Sequence, residues 1–239
     1  MKKLICLLLS VLLIFTLCSC SINIHVKDDP SPRFDGTFTA KIVDIRKNTL
    51  LAVNWSDGEE TADNGIYLIP TPAAESMHRG DIVSVNYSGL IFESEPAELG
   101  GVKDVEAVGA SPDRTGVCIA AFRELWKTDE SLNSGITQIA VNITGLGLTP
   151  GEIRAAAYLC GSEFTGCFGL AASLSELLSD ADTPEEWMLF EISGVEETET
   201  GITFTASKTA LSGGEKSISG CRAEFTEGGF VFTPGTVEG

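Results

Sequence analysis

Short runs of alternating hydrophobic and polar residues make up the chain from residue 34 to residue 108. Phe38, Ala40 and Ile42 alternate with polar neighbours, and the shift of this alternation near Asp44 indicates a strand with a bulge. Gly, Asn, Asp and Pro residues typical of turns separate the runs. Closure of such strands into a small barrel would remove exposed sheet edges. The pattern predicts five strands: residues 38–45, 50–53, 66–69, 82–87 and 102–108.

A helical period replaces the alternation after residues 109–115. Cys118, Ala121, Phe122 and Leu125 recur at the spacing of one face of an amphipathic helix. The Gly-Ala-Ser-Pro-Asp stretch that precedes them favours a break between elements. We therefore interpret residues 109–115 as a linker between a first domain of residues 34–108 and a second domain of residues 116–239.

The middle of the second domain is predicted to mix helices and strands. Thr149, Pro150 and Glu152 form a capping box with proline in the first turn, which is typical of a helix N-terminus. Gly161 is expected to end this helix after about Cys160. A second Ser-x-x-Glu capping pattern starts a short helix. The predicted elements are a strand over 136–143, helices over 149–160 and 173–178, and a strand over 164–170.

From Trp187 to the end the alternation returns. Strands are predicted over 188–192, 202–206, 218–225 and 230–232, and Glu227-Gly228-Gly229 is typical of the turn of a hairpin between the last two. Helices mixed with strands and followed by an antiparallel meander indicate an α+β domain. The predicted fold class of the whole chain is α+β, with the small five-stranded barrel first.

The beginning of the chain has the features of an export signal. Two lysines precede an apolar run from Leu4 to Leu17, which is too short to cross a bilayer as a permanent helix. The following Leu17-Cys18-Ser19-Cys20 resembles the lipobox of bacterial lipoproteins. The resemblance implies that residues 1–19 are removed and that Cys20 is lipidated. The alternative is an ordinary signal peptide, cut near Ser19, that leaves a soluble protein.

The lipobox resemblance predicts where the mature protein is held. Lipid chains on Cys20 would anchor it to the outer face of the cell membrane, and the polar, proline-containing residues 20–33 are expected to be a tether. The membrane is then a partner through this anchor alone. Because the whole localisation depends on Cys20, it is the most consequential single residue of the sequence.

The excess of acidic over basic residues limits the classes of molecule that the protein can bind. The chain carries 34 acidic and 16 basic residues, a formal net charge of −18, without a basic cluster in the region predicted to fold. Such a charge repels nucleic acid and anionic lipid, so we expect no nucleic-acid partner. Solubility explains the acidity, with binding of cations or of a cationic partner as the alternative.

Several short motifs of the first domain belong together. Phe34-Asp35-Gly36-Thr37, Gly80-Asp81-Ile82-Val83-Ser84-Val85, Tyr87-Ser88-Gly89 and Glu93-Ser94-x-Pro96-Ala97 resemble an OB-like domain of unknown function found in small lipoproteins of Gram-positive bacteria. The resemblance covers residues 34–108 and implies an OB-like β-barrel without catalytic residues. Phe204-x-Ala206-x-Lys208 and Cys221-x-Ala223 resemble a secreted α+β domain of related bacteria, with Thr209 where that domain has an aromatic residue.

Four cysteines remain in the second domain once the signal and Cys20 are set aside. In an exported chain they allow three disulfide pairings. Their spacing fits neither a redox CxxC motif nor a usual zinc site. We favour Cys160–Cys167 with Cys118–Cys221, and four reduced thiols are an equal alternative.

No catalytic set, metal site or cofactor is predicted. Both histidines, His25 and His78, precede the second domain, so a Ser-His-acid set cannot be assembled within it. The acidic residues near 57–63 lack the spacing of a calcium loop. The leading hypothesis is a non-enzymatic surface lipoprotein that binds a protein or cell-wall ligand or serves as an accessory module. The alternative is an extracytoplasmic hydrolase that uses carboxylates of the second domain.

Overall fold

A computed structural model describes residues 35–55, 65–88 and 91–239. Within them the fold is α+β, as predicted, with three α-helices and two mixed sheets, and Phe34–Gly239 forms one compact unit. Cys20, the signal segment, the tether and the acidic residues near 57–63 lie outside the described residues. The division into two domains at residues 109–115 stays a prediction. The helices are α1 (Arg114–Lys127), α2 (Pro150–Phe164) and α3 (Leu174–Asp180).

Seven strands of the described residues form the first sheet, which curls into a half-barrel. Its order is β5-β6-β3-β2-β1-β4-β7, and neighbours are antiparallel except for the parallel pair β3–β6. The bulge predicted near Asp44 is confirmed by a register shift after Ile42. The strands are β1 (Asp35–Arg46), β2 (Thr49–Asn54), β3 (Ile66–Pro70), β4 (Asp81–Ser88), β5 (Ile91–Phe92), β6 (Ala97–Leu99) and β7 (Val102–Ala110).

The prediction of five strands was wrong in number. The five alternating segments all form strands, but β5 and β6 also belong to the sheet. Both are only two or three residues long, and Ile91 and Phe92 are exposed. Because period-two alternation needs several residues and one buried face, such short strands leave no pattern. Inward side chains of the longer strands fill the curl: Ala40, Ile42, Leu50, Ala52, Ile69, Val83 and Val85.

The second sheet has the order β13-β12-β11-β10-β8-β9, and β14 pairs with the other half of β12. The pairs β8–β10 and β8–β9 are parallel. The predicted meander and its hairpin are confirmed. The sequence pattern did not indicate β14, and it placed the short strand before α3 too early, over 164–170. The strands are β8 (Gln138–Asn142), β9 (Leu170–Ala171), β10 (Trp187–Glu197), β11 (Gly201–Ala210), β12 (Glu215–Thr226), β13 (Gly229–Thr233) and β14 (Thr236–Glu238).

Helices α1 and α2 pack on the second sheet through aromatic residues. The Phe122 ring centroid lies 4.9 Å from that of Phe190, and Trp126 stacks on Phe164 at 4.9 Å. The four residues of the predicted α1 stripe, which include Cys118, are all fully buried, which confirms that face. This core is separate from the one inside the curled first sheet.

The predicted end of α2 at Gly161 was wrong. The helix continues to Phe164, and Gly161 is buried beneath the loop that follows. A Cβ atom at Gly161 would lie 2.2 Å from the Gly169 nitrogen and 2.6 Å from the Cys167 carbonyl oxygen. Glycine is therefore needed here for close backbone approach and not for helix termination. The strand predicted over 164–170 was also wrong, because most of this segment is that loop.

Helix α2 contacts both sheets. Its capping box is formed as predicted: Thr149 Oγ1 accepts the Glu152 amide, and the Glu152 side chain accepts the Thr149 amide. Ala155 packs with Val43 and Leu51, which lie on the outer side of the first sheet. Strand β1 is consequently buried on both faces, and outward-pointing Lys41 is only 3 % exposed.

Candidate ligand pocket at one end of the first sheet

Three aromatic side chains meet at one end of the curled sheet. Phe38 of β1 lies between Tyr67 of β3 and Tyr87 of β4. Its ring centroid is 5.4 Å from Tyr67 in a tilted arrangement and 5.9 Å from Tyr87, edge to face. These distances and angles are those of favourable aromatic pairs, so the three rings hold one another in place.

Tyr87 is positioned by a glycine on the adjacent strand. Gly36 and Tyr87 are direct partners in the β1–β4 ladder. A Cβ atom at Gly36 would lie 2.8 Å from Cε1 of the tyrosine ring, so a larger residue would displace the ring. An aromatic residue that covers a glycine across two strands shields the bare backbone from water. This contact joins two motifs that lie far apart in the sequence.

The rings form the wall of a small cavity, which we call the aromatic pocket. Its volume is about 200 Å³. Leu99 is buried in its wall, and Ile91 is 45 % exposed. The lining residues are Thr37, Phe38, Asn54, Tyr67, Tyr87, Ile91 and Leu99. Ligand sites often lie at the mouth of a barrel-like sheet and combine apolar walls with a few polar groups, as this pocket does.

The chemistry of the aromatic pocket is that of a neutral site. None of its seven lining residues is an acid, a base or a cysteine. The Asn54 amide and the Thr37 hydroxyl can each donate and accept hydrogen bonds. Aromatic faces with neutral polar groups suit a ring that has an apolar face and hydroxyl groups at its edge. This site was not predicted from the sequence. The available signal was a glycine facing an aromatic residue across predicted strands.

The four cysteines after residue 115 are free thiols in the structure, and the disulfide pairing stays a prediction. Cys118, Cys160 and Cys221 are buried and Cys167 is exposed. Burial raises the pKa of Cys118 well above its ordinary value, with the nearby Cys160 as a further cause. Burial likewise raises the pKa of Cys160 and of Cys221. Since the thiolate is the reactive form, the three buried cysteines are unsuited to nucleophilic catalysis.

The burial of two lysines, Lys41 and Lys208, was not predicted from the sequence. Lys41 Nζ lies 2.7 Å from Glu152 Oε1. Lys208, whose side chain is fully buried, donates to the carbonyl oxygens of Thr128 and Asp129 at the end of α1, and burial lowers its pKa. Periodicity alone assigns such lysines to a polar face, because it does not show which element later covers them.

One carboxyl group has a pKa raised by burial. Asp113 is 4 % exposed and caps α1 by accepting the Gly116 amide at 2.7 Å. Desolvation raises its pKa, while that hydrogen bond and the charges of Arg79 and Lys41 act in the opposite direction. Among the described residues no three His, Cys, Asp or Glu side chains are grouped to hold a metal ion.

In the described ranges, none of the helices combines the length and the apolar character that crossing a bilayer requires.

No protein-family model and no curated protein matches the chain. A solved structure titled "Structural mimicry for functional antagonism" is similar over 89 % of this chain and 98 % of its own chain, at 9 % sequence identity and a TM-score of 0.24. A score that low supports no statement about fold or function.

Proposed function

We propose that this protein is a lipid-anchored, extracytoplasmic binding module that holds a neutral, hydroxylated ring, such as one sugar unit, without turning it over. The aromatic pocket is the observation that carries the proposal. The anchor is the lipidated Cys20, which the lipobox-like end of the signal supports. The net charge of −18 supports a neutral ligand, because an anionic one would be repelled.

The proposal includes an OB-like barrel for the first sheet, and the strand pairing supports it. Strand β6 pairs parallel with β3, and β7 pairs antiparallel with β4. Because Gly100 and Gly101 alone separate β6 from β7, one bent segment links the two sides of the sheet. In an OB barrel the final strand likewise bridges the third and fourth strands. OB folds bind oligosaccharides or oligonucleotides on their strands and adjoining loops, and the acidic charge favours the former.

Calorimetric titration tests the aromatic pocket. The purified full-length chain is titrated with methyl glucoside and with a short neutral oligosaccharide. We expect saturable binding that Tyr87→Ala weakens by about tenfold or more, equivalent to ~1.4 kcal/mol. Phe168→Ala is the matched control, since it truncates an exposed aromatic residue outside the pocket. Absence of saturable binding to neutral saccharides, or equal weakening by the control, would refute the proposal.

Substitution of a polar side chain of the pocket distinguishes a hydroxylated ligand ring from a purely apolar one. Asn54→Leu removes the amide but keeps a side chain of similar size. We expect it to weaken saccharide binding, because ligand hydroxyl groups lose a partner. Tighter binding of toluene than of the saccharide by both wild type and Asn54→Leu would instead identify an apolar ligand.

Labelling of cells with radioactive palmitate tests the anchor. We expect the label to be incorporated into the wild-type protein and to be lost in Cys20→Ala, with release of that variant from the membrane. A mature protein with an unmodified Cys20 would contradict the proposed location. This outcome would leave the binding properties of the aromatic pocket unaffected.

A hydrolase is the second candidate, and one observation favours it. Asp113, with its raised pKa, lines a second cavity of about 290 Å³ together with Asp81 and Glu227. A carboxyl group whose pKa is raised by burial is a common general acid in acid–base catalysis. Release of nitrophenol from neutral nitrophenyl glycosides, abolished by Asp113→Asn, would support this candidate over the first.

A further inference from the structure

A cleft lined by three arginines lies where the first sheet meets helices α1 and α2. Asp44, Arg46 and Arg79 form the wall on the side of the sheet, and Arg123 and Glu163 the wall on the side of the helices. The cleft has a volume of about 140 Å³. Its full lining is Asp44, Arg46, Arg79, Ile119, Arg123, Leu159, Ser162 and Glu163. We call it the arginine cleft.

The charge of the arginine cleft is opposite to that of the chain. Three guanidinium groups and two carboxylates line it, in a protein of net charge −18. Half of the arginines in the described residues are gathered there. Solubility explains an excess of acid but not a local excess of base within it. A positive, concave region on an acidic protein concentrates small anions.

Each arginine of the cleft forms an ion pair with a carboxylate on its own wall. Asp44 is shared, with Arg79 Nη2 at 2.5 Å from Oδ1 and Arg46 Nε at 3.5 Å from Oδ2. Across the cleft, Arg123 makes two parallel bonds to Glu163, at 2.6 and 2.7 Å. Of the ion pairs between described residues, none joins an arginine of one wall to a carboxylate of the other. These pairs therefore do not serve to bind the two walls together.

Because Arg46 and Arg79 share the Asp44 carboxylate, some of their N–H groups remain available to a ligand. A guanidinium has five N–H groups, and a single carboxylate cannot satisfy those of both Arg46 and Arg79. Arg46 Nη1 and Nη2 each donate one hydrogen bond to the Tyr158 hydroxyl at 3.4 Å, and the guanidinium carbon lies 5.6 Å from the Tyr158 ring centroid. These contacts restrict the Arg46 side chain and use part of its donors. Arg46 and Arg79 are 42 % and 35 % exposed, so a ligand can reach them. The Ser162 hydroxyl is a further donor in the lining.

We infer that the arginine cleft binds a small oxyanion, a carboxylate or a phosphate group, between Arg79 and Arg46 on one wall and Arg123 on the other. Planar guanidinium groups match the oxygens of both anions in geometry and charge. The apolar side chains of Ile119 and Leu159 limit hydration of the cleft and strengthen the charge interaction. This site is distinct from the aromatic pocket, with which it shares no residue.

Titration of the purified full-length chain with inorganic phosphate, and separately with acetate, tests the inference and separates the two anions. We expect saturable binding of at least one, weakened by added sodium chloride because the charges are partly exposed. Arg79→Gln and Arg123→Gln should each weaken it by about tenfold or more. Arg222→Gln, a matched change of an exposed arginine of β12 outside the cleft, should leave it unchanged.

A gain-of-binding variant keeps the test independent of folding. Asp44→Asn removes the carboxylate that occupies both Arg46 and Arg79, so we expect it to bind the anion more tightly than wild type. Urea unfolding establishes that each variant is folded. Absence of saturable binding to either anion in both wild type and Asp44→Asn, or an equal loss in Arg222→Gln, would overturn the inference.

Discussion

The Lys41 ammonium nitrogen lies 2.7 Å from Glu152 Oε1, and the two side chains are only 4 % and 3 % exposed. The lysine comes from β1 and the glutamate from the first turn of α2, so the pair joins the first sheet to the helix. Lys41 also donates to Ser111 Oγ and to the Pro112 carbonyl oxygen, at 3.2 and 3.0 Å. A buried ion pair is stable only when its remaining hydrogen-bonding capacity is met in this way.

Removal of one partner of this pair should destabilise the fold strongly. Lys41→Met leaves the Glu152 carboxylate buried without a counter-charge, and we expect the free energy of unfolding to fall by about 3–5 kcal/mol. Arg154→Met, which breaks the exposed pair with Glu95, should cost at most about 1 kcal/mol. Urea denaturation measures both. An equal cost for the two variants would show that burial adds nothing to the Lys41 pair.

Asp113 should make stability depend on pH with a definite sign. Burial raises its pKa above the ordinary value of 3.8, so the folded protein binds this proton more tightly than the unfolded chain does. Stability is therefore lost as the pH rises through the folded pKa. Asp113→Asn keeps a good N-cap acceptor for the Gly116 amide but has no charge to bury.

We accordingly expect Asp113→Asn to be more stable than wild type at neutral pH and to lose this advantage as the pH falls towards 3.8. Urea midpoints of the two proteins across this range measure the difference. Asp182→Asn, an exposed change, is the control and should show no such trend. An advantage of Asp113→Asn that grows on acidification would contradict the assigned direction of the pKa.

The local sequence pattern predicted most of the longer helices and strands, because the residues that determine each of them lie close together in the chain. Alternation identified β1 and its bulge at Asp44, and the capping residues Thr149 and Glu152 identified the start of α2. Each of these signals depends on residues a few positions apart. Lys41 shows the limit: alternation correctly separates its face from that of Ile42, but only the packing of α2 buries it.

The aromatic pocket could not be predicted from the local sequence pattern, because its residues come together only in the tertiary structure. It depends on the register that pairs Gly36 with Tyr87 and on the approach of Phe38 to both tyrosines, which are tertiary facts. Gly161 was misread because a terminating glycine and a closely packed glycine look the same in sequence. Only the neighbouring Gly169 backbone distinguishes them.

Gly161 provides a sharp test of close packing. Alanine normally stabilises a helix interior relative to glycine, by about 1 kcal/mol. Here the added Cβ would meet backbone atoms of the loop after α2 at 2.2 and 2.6 Å, which cannot yield as a flexible side chain does. We expect Gly161→Ala to lower the free energy of unfolding by about 2 kcal/mol or more, the range of overpacked cores.

Gly229→Ala is the control for that substitution, since nothing lies within 4 Å of the position of its Cβ atom. We expect its effect on the urea midpoint to be within about 0.5 kcal/mol, as for open surface sites. A stabilised Gly161→Ala would instead show that this site of the helix has room for a Cβ atom, which would contradict the close backbone contact at Gly161.

The four cysteines of the second domain should differ in reactivity in the native protein. Cys167 is exposed, whereas Cys118, Cys160 and Cys221 are buried with raised pKa values, so iodoacetamide at neutral pH should modify Cys167 alone among them. Unfolding in urea without reductant should then expose the other three thiols, and intact mass measures both steps. Cys167→Ser should remove the native-state label and leave the later one.

Disulfides Cys160–Cys167 and Cys118–Cys221 in the exported protein would give a different result. In that case neither step adds mass to these residues until a reductant is present, and the thiol state of the structure would be wrong.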